Sequence, residues 1–233
     1  MSVRKIIEEA LREGRSKLHE HEAMAVLREY GFPVPEVALA RSRDEAVEAA
    51  VRIGFPVVLK IVSPSIVHKS DVGGVVLGLE TEEQVAEAYD RILANVEKHA
   101  PGAVVVGVLV QRMVPKGLEV IVGATRDPIF DAVVMFGLGG IFVEVLRDVS
   151  FRVTPVSKEE AFEMLGEIKA SRLLDGYRGM PPRDKDALAD IIVKVSRLMD
   201  EVKEIKELDM NPIMSYEKGA AVADARIIVD GRS

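Results

Sequence analysis

The sequence contains no cysteine, and its apolar runs are short. Without cysteine, the chain has no disulfide framework, no thiolate nucleophile and no Cys-ligated zinc or iron–sulfur site. The opening residues MSVRKIIEEALREGR lack the apolar centre of a signal peptide, and the run AVVVGVLV is too short to span a bilayer. We therefore expect a cytoplasmic protein that has no membrane partner.

An excess of positive charge is also absent. The formal net charge is −7 at pH 7, which argues against generic binding to nucleic acid. The chain has 233 residues, of which 48% are hydrophobic and 30% charged. This composition is ordinary for a globular protein, and the length suits one large domain or two small ones.

The common phosphate-binding loops are missing as well. No segment matches G-x-x-x-x-G-K-[ST], so the chain is not a P-loop protein. The segment GLGGIF, residues 137–142, lacks the third glycine of the G-x-G-x-x-G fingerprint. Its first four residues, GLGG at 137–140, are expected to form a turn or a phosphate-facing loop. A nucleotide site in this chain would have to be built from strands.

Strand-like and helix-like segments alternate in mixed order, which predicts an α+β fold. Three apolar stretches, residues 103–114, 118–127 and 130–137, predict three adjacent antiparallel strands. Residues 205–229 predict two strands around a tight turn at Tyr216–Gly219. Ser42 and Thr81 are placed to cap the helices that follow them.

A lysine interrupts the apolar strand FPVVLKIV. Val58 and Lys60 share one face of this strand, while Val57, Leu59 and Ile61 share the other. A lysine inside an apolar strand is costly unless it meets an anion, such as a phosphate, or reaches solvent. Two interpretations stay open, a phosphate-binding lysine and a lysine that extends to water at a sheet edge.

Polar side chains alternate in the segment KELDMNPIM. Glu207, Asp209 and Asn211 point to one side of this strand, opposite Leu208. Hard oxygen ligands at alternate strand positions suit Mg²⁺ together with substrate phosphates, and Asp224 on the final strand could add another oxygen. The alternative is a solvated strand face.

Four features occur together in this chain: Lys60 on its strand, the glycine-bordered loop SPSIVHKSDVGGVV, the pair VQRMVPKGLEVIVG, and the ending ELDMNP…ADAR. Their order and spacing over residues 16–229 resemble an ATP-grasp domain. More narrowly, they resemble the β subunits of ADP-forming acetyl-CoA synthetases, which belong to the NDP-forming acyl-CoA synthetases together with succinyl-CoA synthetase.

This resemblance implies two α+β subdomains with the nucleotide held between them. Residues 1–110 would form the N-terminal subdomain with the histidine loop, and residues 111–233 the C-terminal subdomain with the hinge and the Mg²⁺-binding strands. The β chain of succinyl-CoA synthetase continues into a further domain, whereas this sequence stops just after ADARIIV. That difference favours the acetyl-CoA type, in which the remaining domains lie on a separate α subunit.

The resemblance also implies roles for individual residues in binding ATP or ADP. Lys60 would contact the phosphates, and Glu119 would lie near the ribose or the phosphates. The Arg112 carbonyl and the Val114 amide would read the adenine edge. The Mg²⁺ ligands would be Asp209, Asn211 and Asp224.

The chain has four histidines. His19 and His21 are expected to face different sides of a helix, and His99 to complement a helix dipole, so all three are interpreted as structural. His68 lies on the glycine-bordered loop, and a neutral imidazole is a good nucleophile towards a phosphoryl group near pH 7. By the resemblance, His68 is the phosphohistidine that relays the phosphoryl group to and from a second catalytic histidine on the partner, and the loop glycines are its hinge.

The expected protein is therefore a subunit of an acid–thiol ligase that converts acyl-CoA, ADP and phosphate into carboxylate, ATP and CoA. Its partner would be a CoA-binding α subunit in an α2β2 heterotetramer. Two alternatives stay open: an ATP-grasp carboxylate ligase that forms acyl phosphate directly, and a non-catalytic ATP-sensing subunit. The acid that is used, and the choice between ADP and GDP, also stay open.

Overall fold

The computed structural model describes residues 2–66, 68–140 and 147–231. The chain divides into two compact units. The four-stranded unit consists of His19–Met24 and Pro35–Val114, and the six-stranded unit consists of Met1–Leu18, Ala25–Val34 and Pro115–Ser233. Each unit contains both helices and antiparallel strands, as predicted for an α+β fold.

In chain order, the helices are α1 (Val3–Arg12), α2 (Glu20–Glu29), α3 (Arg43–Ile53), α4 (Glu82–His99), α5 (Lys158–Glu167) and α6 (Lys185–Glu201). The strands are β1 (Val37–Ala40), β2 (Val57–Val62), β3 (Val75–Leu79), β4 (Gly107–Arg112), β5 (Leu118–Asp127), β6 (Asp131–Leu138), β7 (Val149–Val153), β8 (Ile205–Ser215), β9 (Ala220–Val222) and β10 (Ala225–Val229). None of the described helices is both long and apolar enough to cross a membrane.

The four-stranded sheet has the order β1-β4-β2-β3, with every pair antiparallel. Val57, Leu59 and Ile61 of β2 lie in one apolar cluster with buried residues of α3 and α4, which confirms the predicted apolar face of this strand. Both predicted caps are present. The Ser42 hydroxyl accepts a hydrogen bond from an amide of α3, and the Thr81 hydroxyl accepts one from an amide of α4.

The larger sheet has the order β10-β8-β5-β6-β7, and β9 pairs with β8 outside this path. Helix α6 packs on β5 and β6, and α5 packs on α6 and β7. The long strand β8 lies between β10 and β5, so its inward side chains Leu208, Met210 and Ile213 are buried. This central position fixes which face of β8 carries the polar residues.

The first residues of the chain group with its last ones. Helix α1 buries Val3, Ile6, Ile7 and Ala10, whose spacing forms one helical face. The segment after α1 then hydrogen-bonds to β10, because the Leu18 amide donates to the Ile227 carbonyl at 3.0 Å. The structure therefore differs from the predicted division at residue 110, because residues 1–18 and 25–34 find their partners far along the chain.

Two predictions about strand neighbours are wrong. Strand β4 lies between β1 and β2, so only β5 and β6 of the three apolar stretches are adjacent. The predicted pair at 205–229 consists of three strands, since Ala223 and Asp224 separate β9 from β10. The predicted turn is present, with the Tyr216 amide donating to the Gly219 carbonyl at 3.1 Å.

Candidate functional site

The lysine of β2 is buried against a carboxylate. Lys60 is buried, with only 7% of its surface exposed, and its Nζ donates to Oε1 of Glu20 at 2.5 Å. Glu20, at the start of α2, is 6% exposed. Because β2 lies between β4 and β3, the sheet-edge interpretation of Lys60 is wrong. The anion that this lysine requires is supplied here by the chain itself.

Glu20 binds a second lysine as well. Its Oε2 accepts a hydrogen bond from Nζ of Lys69, so that each carboxylate oxygen contacts one ammonium group. Burial raises the pKa of Glu20, but the charges and hydrogen bonds of Lys60 and Lys69 outweigh this effect, and the pKa lies below its ordinary value. These three residues, the Glu20 cluster, keep Glu20 ionised within a buried setting.

His68 lies on the loop of residues 63–74, which connects β2 to β3, and its side chain is exposed. Val67, the preceding residue, is outside the described part of the chain. Before it, Ile66 is buried in the apolar cluster of the four-stranded unit, and after His68 comes Lys69 of the Glu20 cluster. The exposed imidazole is thus flanked by two residues that contact the body of the unit.

The two loop glycines are required by a tight turn. Gly73 has a φ of +62°, and its amide donates to Ser70, while its carbonyl accepts from Asn95. The Gly74 amide donates to the Lys69 carbonyl at 2.8 Å, and a Cβ on Gly74 would come within 2.5 Å of Ile61 Cγ2. This conformation explains the glycines by close packing, and their predicted role as a hinge stays a prediction.

The predicted adenine-reading segment follows β4. The Arg112 amide donates to the Glu36 carbonyl at 2.8 Å, and the Met113 amide to the Pro56 carbonyl at 3.0 Å. The Arg112 side chain turns back to donate to the Ile53 carbonyl at 3.1 Å. Among the described residues, the Val114 amide has no hydrogen-bond acceptor. The backbone at Val114 therefore has a donor available for a ligand.

Glu119 lies beside the glycine-rich segment that was expected to face a phosphate. The Gly139 amide donates to the Glu119 carbonyl at 2.9 Å, and a Cβ on Gly139 would lie 3.0 Å from the Cβ of Glu119. Gly140 has a φ of +61°, and its Cβ position is 3.6 Å from Oε2 of Glu119. The exposed Glu119 therefore lies beside the exposed Gly140, while the buried Gly139 packs against the Glu119 backbone and Cβ. The predicted turn at 137–140 begins later than expected, because Gly137 and Leu138 still belong to β6.

The alternation predicted for β8 is confirmed. Leu208 and Met210 are buried, Asp209 is half-buried, and Asn211 is exposed. Asp209 pairs with Gly123 of β5 on one side and with Arg226 of β10 on the other. Gly123 places no side chain against Asp209, and a Cβ there would lie 3.2 Å from the Leu208 carbonyl oxygen and 4.0 Å from Asp209 Oδ1.

The charge of Asp209 is only partly compensated. Burial raises the pKa of this carboxyl group, the Arg226 charge opposes that effect, and the Glu207 charge adds to it. The net pKa lies above its ordinary value, so ionised Asp209 would be stabilised by a nearby cation.

The residues present fit a magnesium ion that keeps some of its ligands from elsewhere. The Ala223 amide donates to the Pro212 carbonyl at 2.9 Å, which places Asp224 beside Asn211. Within the described ranges, no group of three His, Cys, Asp or Glu side chains could hold a metal. Asp209, Asn211 and Asp224 instead offer carboxylate and amide oxygens, a set suited to Mg²⁺ bound together with water and phosphates.

Sequence reasoning missed Glu20 and Lys69. The only sequence signal for Glu20 is the charged run HEHE, which looks like an ordinary acidic first turn of a helix. The prediction that His19 and His21 face different sides is wrong, because their rings stack with centroids 5.7 Å apart. Helix α2 begins at Glu20, so His19 precedes the helix, and its ring folds over that of His21.

Comparisons with known proteins identify the family. The ATP-grasp domain family matches residues 9–229. The chain is also 54% identical, over 226 residues, to the subunit beta of the ADP-forming acetate–CoA ligase I of Pyrococcus furiosus, with 97% of each chain covered.

Two solved structures of the dinucleotide forming acetyl-coenzyme A synthetase 1 of Ca. Korarchaeum cryptofilum are also similar. One contains coenzyme A, acetyl-coenzyme A and a phosphorylated phosphohistidine segment, and it matches with a TM-score of 0.93 at 48% identity. The other contains coenzyme A and Mg-AMPPCP, with the phosphohistidine segment pointing towards the nucleotide binding site, and it matches with a TM-score of 0.88 at 48% identity. Both comparisons cover 98% of this chain and 100% of the other. The chain therefore belongs to the ATP-grasp family, among the beta subunits of ADP-forming acetate–CoA ligases.

Proposed function

We propose that this chain is the nucleotide-binding β subunit of an ADP-forming acyl-CoA synthetase and that His68 carries the phosphoryl group. The observation that carries the proposal is the position of His68. Its exposed imidazole follows the β2 strand, which holds Lys60, and it precedes Lys69, which shares Glu20 with Lys60. A nucleophile is thus placed next to lysines that can attract phosphate.

The other residues take the roles that the sequence suggested. Lys60 contacts the nucleotide phosphates, and the Arg112 carbonyl and Val114 amide read the adenine. Glu119, beside Gly139 and Gly140, faces the ribose or the phosphates. The Mg²⁺ that accompanies the nucleotide is held by Asp209, Asn211 and Asp224. When bound, it offsets negative charge on the phosphates.

In the direction of ATP synthesis, acyl-CoA and phosphate give acyl phosphate and CoA on the partner subunit. The phosphoryl group moves to a histidine of that subunit, and the carboxylate leaves. A neutral imidazole nitrogen of His68 then attacks phosphorus as the bond to the partner's histidine breaks. Finally, an oxygen of the ADP β-phosphate attacks, the P–N bond at His68 breaks, and ATP forms while the imidazole returns to its neutral state. Lys60 contributes by positioning the phosphates and neutralising their charge.

The relatives support this relay. In the two structures from Ca. Korarchaeum cryptofilum, the phosphohistidine segment is described once as phosphorylated in a site I orientation and once as pointing towards the nucleotide binding site. The Pyrococcus furiosus relative is named as a beta subunit, which implies an alpha subunit. We infer a CoA-binding α subunit with the second histidine, an α2β2 heterotetramer, and a place in the cytoplasm, where ADP, phosphate and acyl-CoA are available.

Labelling tests the proposal. With γ-labelled ATP, Mg²⁺ and the α subunit, the chain should acquire acid-labile, base-stable phosphate. His68→Ala should abolish this label and leave ATP binding intact, whereas the control His99→Ala, at another exposed histidine, should keep the label. Equal labelling of His68→Ala would overturn the relay.

The same experiment separates the alternatives. A ligase that forms acyl phosphate directly would turn over without base-stable phosphate on the chain. An ATP-sensing subunit would bind ATP and show neither label nor turnover. Acyl-CoA-dependent ATP synthesis by the 233-residue chain alone would overturn the assignment as a subunit.

A further inference from the structure

Glu20 has no role in the proposed relay, although it is a buried carboxylate, 6% exposed, that binds Lys69, the residue after His68. We propose that Glu20 is an internal competitor of phosphate. It holds Lys60 and Lys69 when no nucleotide is bound, and it yields both lysines to a phosphoryl group when nucleotide binds. This inference rests on the proposed roles of Lys60 and His68, and it makes Glu20 a positioning residue for the proposed reaction.

The charges of the cluster support competition. Two ammonium groups surround one carboxylate, and each carboxylate oxygen contacts one of them. A buried carboxylate is stable only while such partners compensate it, and the low pKa of Glu20 reflects their presence. A phosphoryl group also presents several oxygens on one central atom and carries more negative charge. It can therefore take the same two donors from Glu20.

The two lysines lie on different kinds of element, one on a strand and one on a loop. Lys60 lies in the interior strand β2, paired on both sides. Lys69 lies on the loop next to His68, and its carbonyl accepts the Gly74 amide. Glu20 therefore ties the histidine loop to the strand that bears the phosphate-binding lysine. When Lys69 exchanges Glu20 for a phosphoryl group, its neighbour His68 is brought to that group.

The fold of α2 keeps Glu20 in place for this task. Its neighbours Ala23 and Met24 are fully buried, and the Ala23 amide donates to the His19 carbonyl at 2.9 Å. The His19 amide donates to the Glu22 carboxylate at 2.7 Å, which fixes the first turn. The carboxylate of Glu20 is thus presented by a buried, hydrogen-bonded helix start, and phosphate must compete with it there.

The affinities of the Glu20→Gln and Glu20→Asp variants for nucleotide test the proposal. Glu20→Gln removes the competing charge, so the Kd for Mg-ADP should fall by about 3- to 30-fold, because the lysines no longer need to be released first. Glu20→Asp keeps the charge on a shorter side chain that reaches the lysines less well. Its Kd for Mg-ADP should therefore lie between that of the wild type and that of Glu20→Gln. The thermal midpoints without nucleotide should follow the order of the Kd values, with wild type the most stable and Glu20→Gln the least.

Inorganic phosphate supplies a second measurement. Removal of the Glu20 charge leaves the buried Lys60 and the half-buried Lys69 without their shared carboxylate. Inorganic phosphate should therefore raise the thermal midpoint of Glu20→Gln more than that of the wild type. Asp148→Asn is the matched control. Asp148 lies in the six-stranded unit and is also a buried carboxylate, 4% exposed, and it accepts hydrogen bonds from two backbone amides of the same unit. It should lose stability without binding Mg-ADP more tightly.

If Glu20 has only a structural role, both substitutions will weaken nucleotide binding or leave it unchanged. That result would overturn the inference. If Glu20→Gln does not fold, Glu20→Asp decides alone, because an affinity no higher than that of the wild type also overturns it. A wild-type chain that neither binds Mg-ADP nor labels on His68 refutes the proposed function instead. His68-dependent labelling with unchanged affinity in the Glu20 variants refutes the competitor role only.

Discussion

The Glu20 cluster and the polar face of β8 solve the same electrostatic problem in different ways. In the four-stranded unit, Lys60 is almost fully buried, and Glu20 compensates its charge. In the six-stranded unit, Asp209 is half-buried beside Gly123, and its pKa stays above the ordinary value despite Arg226. The chain thus supplies a counter-charge for Lys60, whereas it compensates the charge of Asp209 only in part.

The two regions should therefore respond to a ligand in different ways. At Lys60, a phosphate must replace an existing partner, so binding there is an exchange. At Asp209, a cation would relieve an existing penalty, so binding there stabilises the carboxylate directly. The degree of burial distinguishes the two cases. A buried lysine needs a partner for its charge, whereas a half-buried carboxylate is still partly solvated by water and can remain without a full counter-charge.

The largest expected effect separates the two faces of β8. Leu208→Ala should lower the free energy of unfolding by about 2–5 kcal/mol, because it truncates a buried side chain, and it should leave affinity for Mg-nucleotide unchanged. Asn211→Ala, at an exposed position, should do the reverse. Urea unfolding and calorimetric titration measure both quantities. If stability falls for Asn211→Ala while nucleotide affinity holds, the two faces are reversed.

Lys60→Met tests the exchange in the four-stranded unit. The substitution keeps an apolar stem of similar length but removes the charge, so affinity for Mg-ADP should fall by about 10- to 100-fold, or ~1.4–2.8 kcal/mol. Stability should fall as well, because Glu20 loses one of its two partners. Val58→Ala, on the same face of β2, is the control: it should lose stability but keep affinity. Unchanged affinity in Lys60→Met would remove this lysine from the nucleotide site.

The smallest expected effect concerns Asp209 and pH. Since burial holds the pKa of Asp209 above its ordinary value, ionised Asp209 costs stability at neutral pH. The cost develops as pH rises from the unfolded-state pKa through the folded-state pKa, and it is absent below that interval. Asp209→Asn should therefore stabilise the ligand-free chain by up to about 1 kcal/mol at neutral pH and not at about pH 3.

Thermal unfolding across this pH range measures the effect, and added Mg-nucleotide provides the contrast. It should stabilise the wild type and have a much smaller effect on Asp209→Asn, because the substitution removes the charged oxygen ligand. A wild type that is more stable than Asp209→Asn at neutral pH without ligand would show that Arg226 compensates the carboxylate fully.

The sequence predicted what short-range periodicity controls. The alternation around Asp209, the apolar face of β2 and the caps at Ser42 and Thr81 follow from residues within a few positions of one another. Strand partners and counter-ions depend on distant segments, so the sequence does not reveal that β4 lies between β1 and β2. Glu20 meets Lys60 across forty positions of sequence, and no local pattern encodes that distance.

The position of His68 midway along its loop limits how far its imidazole can lie from the ends of that loop. His68 is six residues from Val62, the last residue of β2, and six from Gly74, whose carbonyl accepts the Ile61 amide. An extended chain spans at most about 3.3–3.6 Å per residue, so each arm measures about 20 Å at full stretch. A histidine away from the midpoint would be limited by its shorter arm. In the proposed relay, loop length therefore sets how far apart the donor and the acceptor of the phosphoryl group can stand, and each residue deleted from one arm would shorten that arm by roughly 3.5 Å.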